Sequence, residues 1–181
     1  ANARSSGRDS QALGDRALAS GNESFAAGAS AKAMATNAFA VGSSASASAQ
    51  SSLAIGTTAS ATALESTAIG FNATVTGQSS IAFGSESYAN HNNAMALGTS
   101  SRAVADGALA TGLQSQASGI DAIAIGFRSR STQLSSTAMG SRSVASGVYS
   151  VSIGAGSCAM ALEALAMGYG AKALDRESLS I

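Results

Sequence analysis

Residues 43–70 read SSASASAQSSLAIG-TTASATALESTAIG and contain two complete copies of a fourteen-residue unit. The same unit recurs along the whole chain, because glycine occupies every fourteenth position from Gly14 to Gly168 without insertion or deletion. The 181 residues divide into thirteen units, and the last unit lacks only its glycine. Self-similarity at a short fixed period is typical of solenoids and other repeat architectures. Positions within a unit are numbered here as phases 1 to 14, ending at that glycine.

Small and large side chains alternate within each unit. Phases 3 and 10 hold only Ala or Ser, phases 5 and 12 hold mostly Ala, and phases 11 and 13 hold larger apolar residues, as in Leu53-Ala54-Ile55. Alternation with a period of two is the pattern of a β-strand, whereas a coiled coil spaces its apolar residues alternately three and four apart. A glycine in every unit would also cost a helix ~1 kcal/mol each time relative to Ala. The pattern therefore predicts strands.

Each unit is expected to contain two short strands, at phases 2–6 and 10–13, joined by turns near phases 14–1 and 7–9. Phase 7 is glycine in five units, for example at Gly77 and Gly147, and we expect a positive φ there because glycine adopts it at little cost. Two strands and two tight turns per unit, thirteen times over, predict an all-β fold: a parallel β-solenoid with fourteen-residue coils. We expect residues 1–181 to form a single repetitive domain.

Composition restricts the possible functions. Only 11% of residues are charged, the net charge is zero, and the 45% hydrophobic content is mostly Ala. A neutral chain has no strong field to attract nucleic acid, so we expect no nucleic-acid partner. The sequence contains no apolar run of membrane-spanning length, and its one cysteine, Cys158, excludes an intrachain disulfide.

The charged residues predict which phases face water. All twenty occupy phases 1, 2, 4, 7, 8 or 9. Burying an unpaired charge is costly, so the charge-free, small phases 3, 5, 10 and 12 are expected to face the interior of a narrow coil. Phases 2 and 4 then point to water, and phases 11 and 13 point out of the coil. The alternative, in which phases 11 and 13 fill a wider single-chain core and leave Ala and Ser outside, stays open at this point.

Outward-pointing phases 11 and 13 form two apolar columns that a soluble monomer rarely tolerates. The simplest cover is the same surface of another copy about a rotation axis. The residues that we predict to form this interface between copies are Leu53, Ile55, Ile69, Ile81, Phe83, Met95, Leu97, Ile123, Ile125, Met139, Val151, Ile153, Leu165 and Met167.

The repeated motif resembles a known family. Ser52-Leu53-Ala54-Ile55-Gly56, Ser80-Ile81-Ala82-Phe83-Gly84 and Ala122-Ile123-Ala124-Ile125-Gly126, each followed by Ala/Ser-x-Ala/Ser, are similar to the YadA-type head repeat of trimeric autotransporter adhesins. The resemblance covers the whole chain, and residues 175–181 resemble the final head repeat that precedes the neck in that family.

The resemblance implies a left-handed parallel β-roll and a tight homotrimer on the outer surface of a Gram-negative bacterium. It also implies a function in cell adhesion and virulence, with attachment to host extracellular matrix, cells or other surfaces. The membrane would be reached only through a C-terminal anchor that this sequence lacks. The alternative function is a passive structural spacer that projects another binding domain away from the cell.

Four arginines at phases 2 and 4 are the candidate ligand-contacting residues of the outer face: Arg102, Arg128, Arg130 and Arg142. Arg128 and Arg142 should be neighbours in adjacent coils and could contact acidic ligands, although a simple solvated face is the alternative. Six acidic residues share phase 9, but they are too sparse for a calcium site, which needs several converging oxygens. His91 has no second His or Cys nearby in the sequence and is a poor metal ligand.

We therefore expect no cofactor, no metal and no catalysis. A solenoid acyltransferase uses a six-residue repeat, of which fourteen is not a multiple. An ice-binding solenoid would need a regular threonine array, and threonine is scattered here. Cys158 has no role that the sequence identifies.

Overall fold

The computed structural model describes residues 2–181, and every element in this range is a β-strand. Each fourteen-residue unit contributes a two-residue strand at phases 4–5 and a strand at phases 11–13, so the expectation of two short strands per coil is confirmed. The first strand is shorter than predicted, because phase 2 has a left-handed backbone and belongs to the turn. The chain divides into two compact units, Ala1–Asn90 and His91–Ile181, and each is a parallel β-solenoid. Whether residues 1–181 act as one domain stays a prediction.

In the unit Ala1–Asn90, equivalent strands of successive coils pair in parallel and build two sheets. The first sheet contains β1 (Arg4–Ser5), β3 (Leu18–Ala19), β5 (Lys32–Ala33), β7 (Ser46–Ala47), β9 (Ser60–Ala61), β11 (Thr74–Val75) and β13 (Tyr88–Ala89). The second sheet contains β2 (Gln11–Leu13), β4 (Phe25–Ala27), β6 (Phe39–Val41), β8 (Leu53–Ile55), β10 (Thr67–Ile69) and β12 (Ile81–Phe83).

The unit His91–Ile181 repeats this architecture. Its first sheet contains β15 (Arg102–Ala103), β17 (Gln116–Ala117), β19 (Arg130–Ser131), β21 (Val144–Ala145), β23 (Cys158–Ala159) and β25 (Lys172–Ala173). Its second sheet contains β14 (Met95–Leu97), β16 (Leu109–Thr111), β18 (Ile123–Ile125), β20 (Thr137–Met139), β22 (Val151–Ile153), β24 (Leu165–Met167) and β26 (Leu179–Ser180).

The register of both sheets is set by the fourteen-residue period. Ala54, for example, pairs with Ala40 in the preceding coil and with Ala68 in the following coil. Each residue therefore stacks on the residue of the same phase, and every phase forms a column along the solenoid. A one-residue slip would turn the apolar columns inward and the alanine columns outward, so the alternating pattern fixes the register.

Small side chains line the interior of the coil. From Ala17 onward phases 3, 5, 10 and 12 are buried almost throughout, and the largest side chain that is fully buried is Val75. Most of the buried serines donate to turn carbonyls three residues earlier, as Ser52 Oγ does to the Ala49 oxygen at 2.6 Å and Ser101 Oγ to the Gly98 oxygen at 2.8 Å. The predicted interior phases are confirmed, and the wider single-chain core is excluded.

The two turns of each coil contain left-handed residues at phases 2 and 9, including many that are not glycine. Glu65 has φ 55° and Asn72 has φ 54°. This conformation costs an ordinary residue ~1 kcal/mol or more, but here each turn amide donates to the preceding coil, as Asn72 N does to the Thr57 oxygen at 2.9 Å. The inter-coil hydrogen bonds thus hold a backbone shape that sequence preference alone would not indicate.

Glycine is needed at phases 14 and 7 for different structural reasons. At phase 14 φ lies near 130°, and a Cβ on Gly98 would lie 2.7 Å from the Gly112 oxygen, so only glycine fits. The expectation of a positive φ at phase 7 is wrong, because Gly77 and Gly147 do not have one. A Cβ on Gly147 would instead collide with the backbone of Ala161 in the next coil, so close approach favours glycine there.

Candidate binding surface

The outer face of each second sheet carries the large apolar residues of phases 11 and 13. In the unit Ala1–Asn90, Leu53, Ile55, Ile69 and Ile81 are half-buried and Phe83 is exposed. Stacking along a column is direct, since the rings of Phe25 and Phe39 lie 4.9 Å apart.

The same columns continue within the unit His91–Ile181. There the predicted interface residues Leu97, Ile123, Ile125, Val151 and Leu165 are half-buried, whereas the others are exposed, namely Met95, Met139, Ile153 and Met167. None of the fourteen residues lies inside the coil. That another copy covers them stays a prediction, since the structure is of one chain.

The first sheet of the unit His91–Ile181 carries the predicted arginines. Arg102 in β15 and Arg130 in β19 belong to one phase-4 column, and each pairs with Gln116 in β17 between them. Both side chains are exposed. The structure therefore places them on one outward-facing surface.

Arg128 and Arg142 lie in the phase-2 column beside that sheet and share one aromatic ring. The Arg128 Cζ atom lies 4.9 Å from the centre of the Phe127 ring, and the Arg142 Cζ atom lies 5.7 Å from it. Arg128 Nε also donates to Gln114 Oε1 at 2.7 Å. The expectation that these two arginines are neighbours one coil apart is confirmed by these contacts.

A shallow cleft of about 400 Å³ lies next to Arg142, and the sequence reasoning did not identify it. It is lined by Ser141, Arg142, Ala155, Gly156, Tyr169 and Gly170. Gly156 and Gly170 leave its floor bare, since a Cβ on either would meet nothing within 4 Å. The Tyr169 side chain is 93% exposed. The sequence did contain a signal for this cleft: phase 2 is glycine in two adjacent coils, and a tyrosine precedes the second of these glycines.

The remaining candidate residues form no site. The acidic residues of phase 9 occupy left-handed turn positions, and residues 2–181 contain no cluster of His, Cys, Asp or Glu that could hold a metal ion. His91 lies in a turn region, as expected. Cys158 is a half-buried free thiol in β23. No helix able to cross a membrane occurs in the part of the chain that the structure describes.

Comparisons with known proteins agree with the repeat. The family model of the YadA head domain repeat, which spans two copies, matches residues 5–31, 19–45, 47–73, 76–101, 103–129 and 131–157. A search of curated protein sequences gave no significant match. Among solved structures, the crystal structure of the collagen-binding domain of Yersinia adhesin YadA is 29% identical, over 90% of this chain and 68% of that chain. Its TM-score is 0.42. The family matches cover well over half of the sequence, and the chain therefore belongs to the family of YadA head domain repeats.

Proposed function

We propose that the chain is the head of a trimeric autotransporter adhesin, which attaches a Gram-negative bacterium to host extracellular matrix, cells or other surfaces. Family membership supports an adhesin-type function exposed on the bacterial surface. The proposal of a trimeric head is supported by the two apolar columns, phases 11 and 13, on the outer face of the second sheet in each unit. Packing against other copies would cover these columns and leave the first sheets available to contact a ligand.

The partner that fits these columns is a second and a third copy of the same chain. Burial of apolar surface stabilises an interface by roughly 25 cal/mol per Å² removed from water. Phases 11 and 13 carry no charged residue in any coil, so no unpaired ion would be buried when copies pack. A closed rotational arrangement covers the columns of all copies at once, whereas an open arrangement would leave some exposed. Three copies is the number that the family resemblance implies.

The surfaces left outside such a trimer are the first sheets and the turns beside them. These surfaces hold the charged residues, and their backbone geometry repeats at every coil, so successive coils can present side chains to a ligand at the same spacing. A fibrous matrix protein also repeats its surface. Many weak contacts between two repetitive surfaces raise the overall avidity far above that of one contact.

Attachment is tested by solid-phase binding of the chain to immobilised collagen, fibronectin and laminin. We expect saturable binding to at least one of them, and weaker binding by the quadruple variant R102Q/R128Q/R130Q/R142Q. The matched control is R4Q/R8Q/R16Q/R176Q, which removes the same charge elsewhere. Absence of binding to every matrix protein and to host cells would overturn attachment and favour a passive spacer, which the uniform coil length would also suit.

A further inference from the structure

The charges of the unit His91–Ile181 are segregated between two sides of the coil. On the side of phases 1–5, all charged residues are basic: Arg102, Arg128, Arg130, Arg142 and Lys172. The acidic residues all lie at phases 7–9: Asp106, Asp121, Glu163, Asp175 and Glu177. Segregation of this kind creates a local positive field although the whole chain is neutral, and such a field attracts anions.

The cations near the cleft are not neutralised by carboxylates. Within residues 2–181 no salt bridge involves Arg128, Arg130 or Arg142, whereas Arg8 pairs with Asp9 and Glu23, Arg16 with Asp15, and Arg176 with Glu177. The guanidinium groups of Arg128 and Arg142 rest on Phe127. Apart from Arg128 Nε, which donates to Gln114 Oε1, the N–H donors of these two guanidinium groups can bind a planar or tetrahedral anion.

The cleft adds a second recognition element to these cations. Arg142, Gly156 and Gly170 occupy phase 2 of three successive coils, and Tyr169 directly precedes Gly170, so the bare backbone of Gly156 lies between a coil with a cation and a coil with an aromatic residue. An exposed aromatic ring beside a floor without side chains suits a flat, partly apolar ring such as a sugar. An anionic substituent on that sugar would lie toward Arg142 and, beyond it, Arg128.

We propose that this cleft binds one acidic sugar residue of a linear sulfated glycan, and that the neighbouring arginines bind the sulfates of the adjoining residues. The inference rests on the proposed adhesive function, and it names the ligand class of this part of the outer face. The sugar ring packs on Tyr169 above Gly156, while Arg142 pairs with its carboxylate or sulfate. A linear chain with repeated anionic groups matches the cations of two adjacent coils, Arg128 and Arg130 in one and Arg142 in the next.

Other polyanions match these features less well. A single-stranded nucleic acid needs aromatic platforms for successive bases, whereas Tyr169 offers one exposed ring and the Phe127 ring is already covered by two guanidinium groups. An acidic protein partner would need an apolar pocket for an anchor residue, and the cleft is shallow, open and floored by glycine. A sulfated glycan needs only the cations, the ring and the space, all of which are present.

The test measures binding of a heparin-derived hexasaccharide to the chain by calorimetry at low and moderate salt. The informative variant is Gly156→Gln, which fills the floor at a backbone cost of only ~1 kcal/mol: Gly156 has φ 68°, and Gln114 already adopts φ 57° at the same phase. We expect Gly156→Gln, Tyr169→Ala and Arg142→Gln each to weaken binding by about tenfold or more, as expected for loss of one stacking or charge-assisted contact.

Two control variants should bind within about twofold of the natural chain, well under the ~1.4 kcal/mol that a tenfold change represents. Tyr169→Phe keeps the ring, and Arg176→Gln removes one positive charge on the acidic side of the coil. Circular dichroism checks that every variant keeps its fold.

The proposal would be overturned by no measurable binding of the hexasaccharide, or by equal binding of it to Gly156→Gln and to the natural chain. If a twelve-nucleotide oligothymidylate bound with the same affinity as the hexasaccharide, that result would also contradict the proposal, because it would show unselective attraction of polyanions. The matrix-binding assay separates this inference from the proposed function. Matrix binding without glycan binding would overturn only the glycan site, whereas loss of both would overturn attachment as well.

Discussion

Placing a carboxylate at position 125 should dissociate the proposed trimer. Ile125 lies at phase 13 in β18, half-buried on the outer face, with Thr111 and Met139 as its neighbours in the adjacent coils. In a trimer of the proposed kind, Ile125→Asp would bury three carboxylates in an apolar interface that offers no cation at phase 11 or 13. The effective desolvation cost is several kcal/mol per ion, so the total is on the order of 10 kcal/mol per trimer.

A cost of that size is decisive because ~1.4 kcal/mol changes an equilibrium constant tenfold. Ile125→Asp should therefore weaken assembly by roughly seven powers of ten. Light scattering and sedimentation over a dilution series measure the assembly state, and circular dichroism measures whether the coil stays folded. The matched control is Arg130→Asp, which reverses a charge on the exposed β19 and should change stability by less than ~0.5 kcal/mol. A trimer that tolerates both substitutions equally would refute the assignment of faces.

Other substitutions test the coil itself through thermal unfolding midpoints. Gly98→Ala should destabilise the fold by about 3 kcal/mol or more, because φ is 134° and a Cβ would lie 2.7 Å from the Gly112 oxygen. Gly156→Ala, with φ 68° and open space around its Cβ, should cost only ~1 kcal/mol, so equal costs would contradict the role given to phase 14. Ala40→Leu should destabilise by about 3 kcal/mol or prevent folding, because Ala40 is fully buried in the narrow interior. Ala29→Leu, on the exposed phase 1 of the same coil, should be nearly neutral, and a similar loss there would argue against a tightly packed lumen. Glu177→Gln removes the exposed pair with Arg176 and should shift stability by less than ~1 kcal/mol, so a larger loss would contradict the minor contribution assigned to this surface ion pair.

The two-strand coil could be predicted from sequence because its signals are strictly periodic. The fourteen-residue spacing of glycines such as Gly56 and Gly70 defined each coil, and the restriction of charge to six phases identified the outer surface. The phases that face the interior could be assigned without the structure. Ala54 and its equivalents alternate with larger residues such as Leu53 and Ile55, as expected for a strand with one face inside the coil.

The turns were harder to predict, because their conformation is set by the next coil and not by local preference. Glu65 and Tyr149 adopt left-handed φ values although neither residue type favours them, and the amides of both donate to the preceding coil. Gly147 was misjudged for a related reason, because its lack of a side chain serves close approach to Ala161. Contacts between coils are invisible to a reading of one repeat at a time.

The candidate site was predicted only in part. A basic surface at Arg128 and Arg142 followed from the phases, but the role of Phe127 under both guanidinium groups required the geometry. The cleft at Gly156 and Tyr169 was missed because it exists where two adjacent coils have glycine at phase 2 and therefore no side chain. A consensus of the repeat describes the side chains that are present and does not show where one is missing.

Whether the apolar columns are covered by copies of the same chain is answered most directly by the solution mass. Sedimentation equilibrium of the isolated chain at micromolar concentration gives this mass independently of shape. We expect a single species of three times the 17.5 kDa chain mass. A species that stays at 17.5 kDa throughout the concentration range would contradict the account, because phases 11 and 13 would then face water.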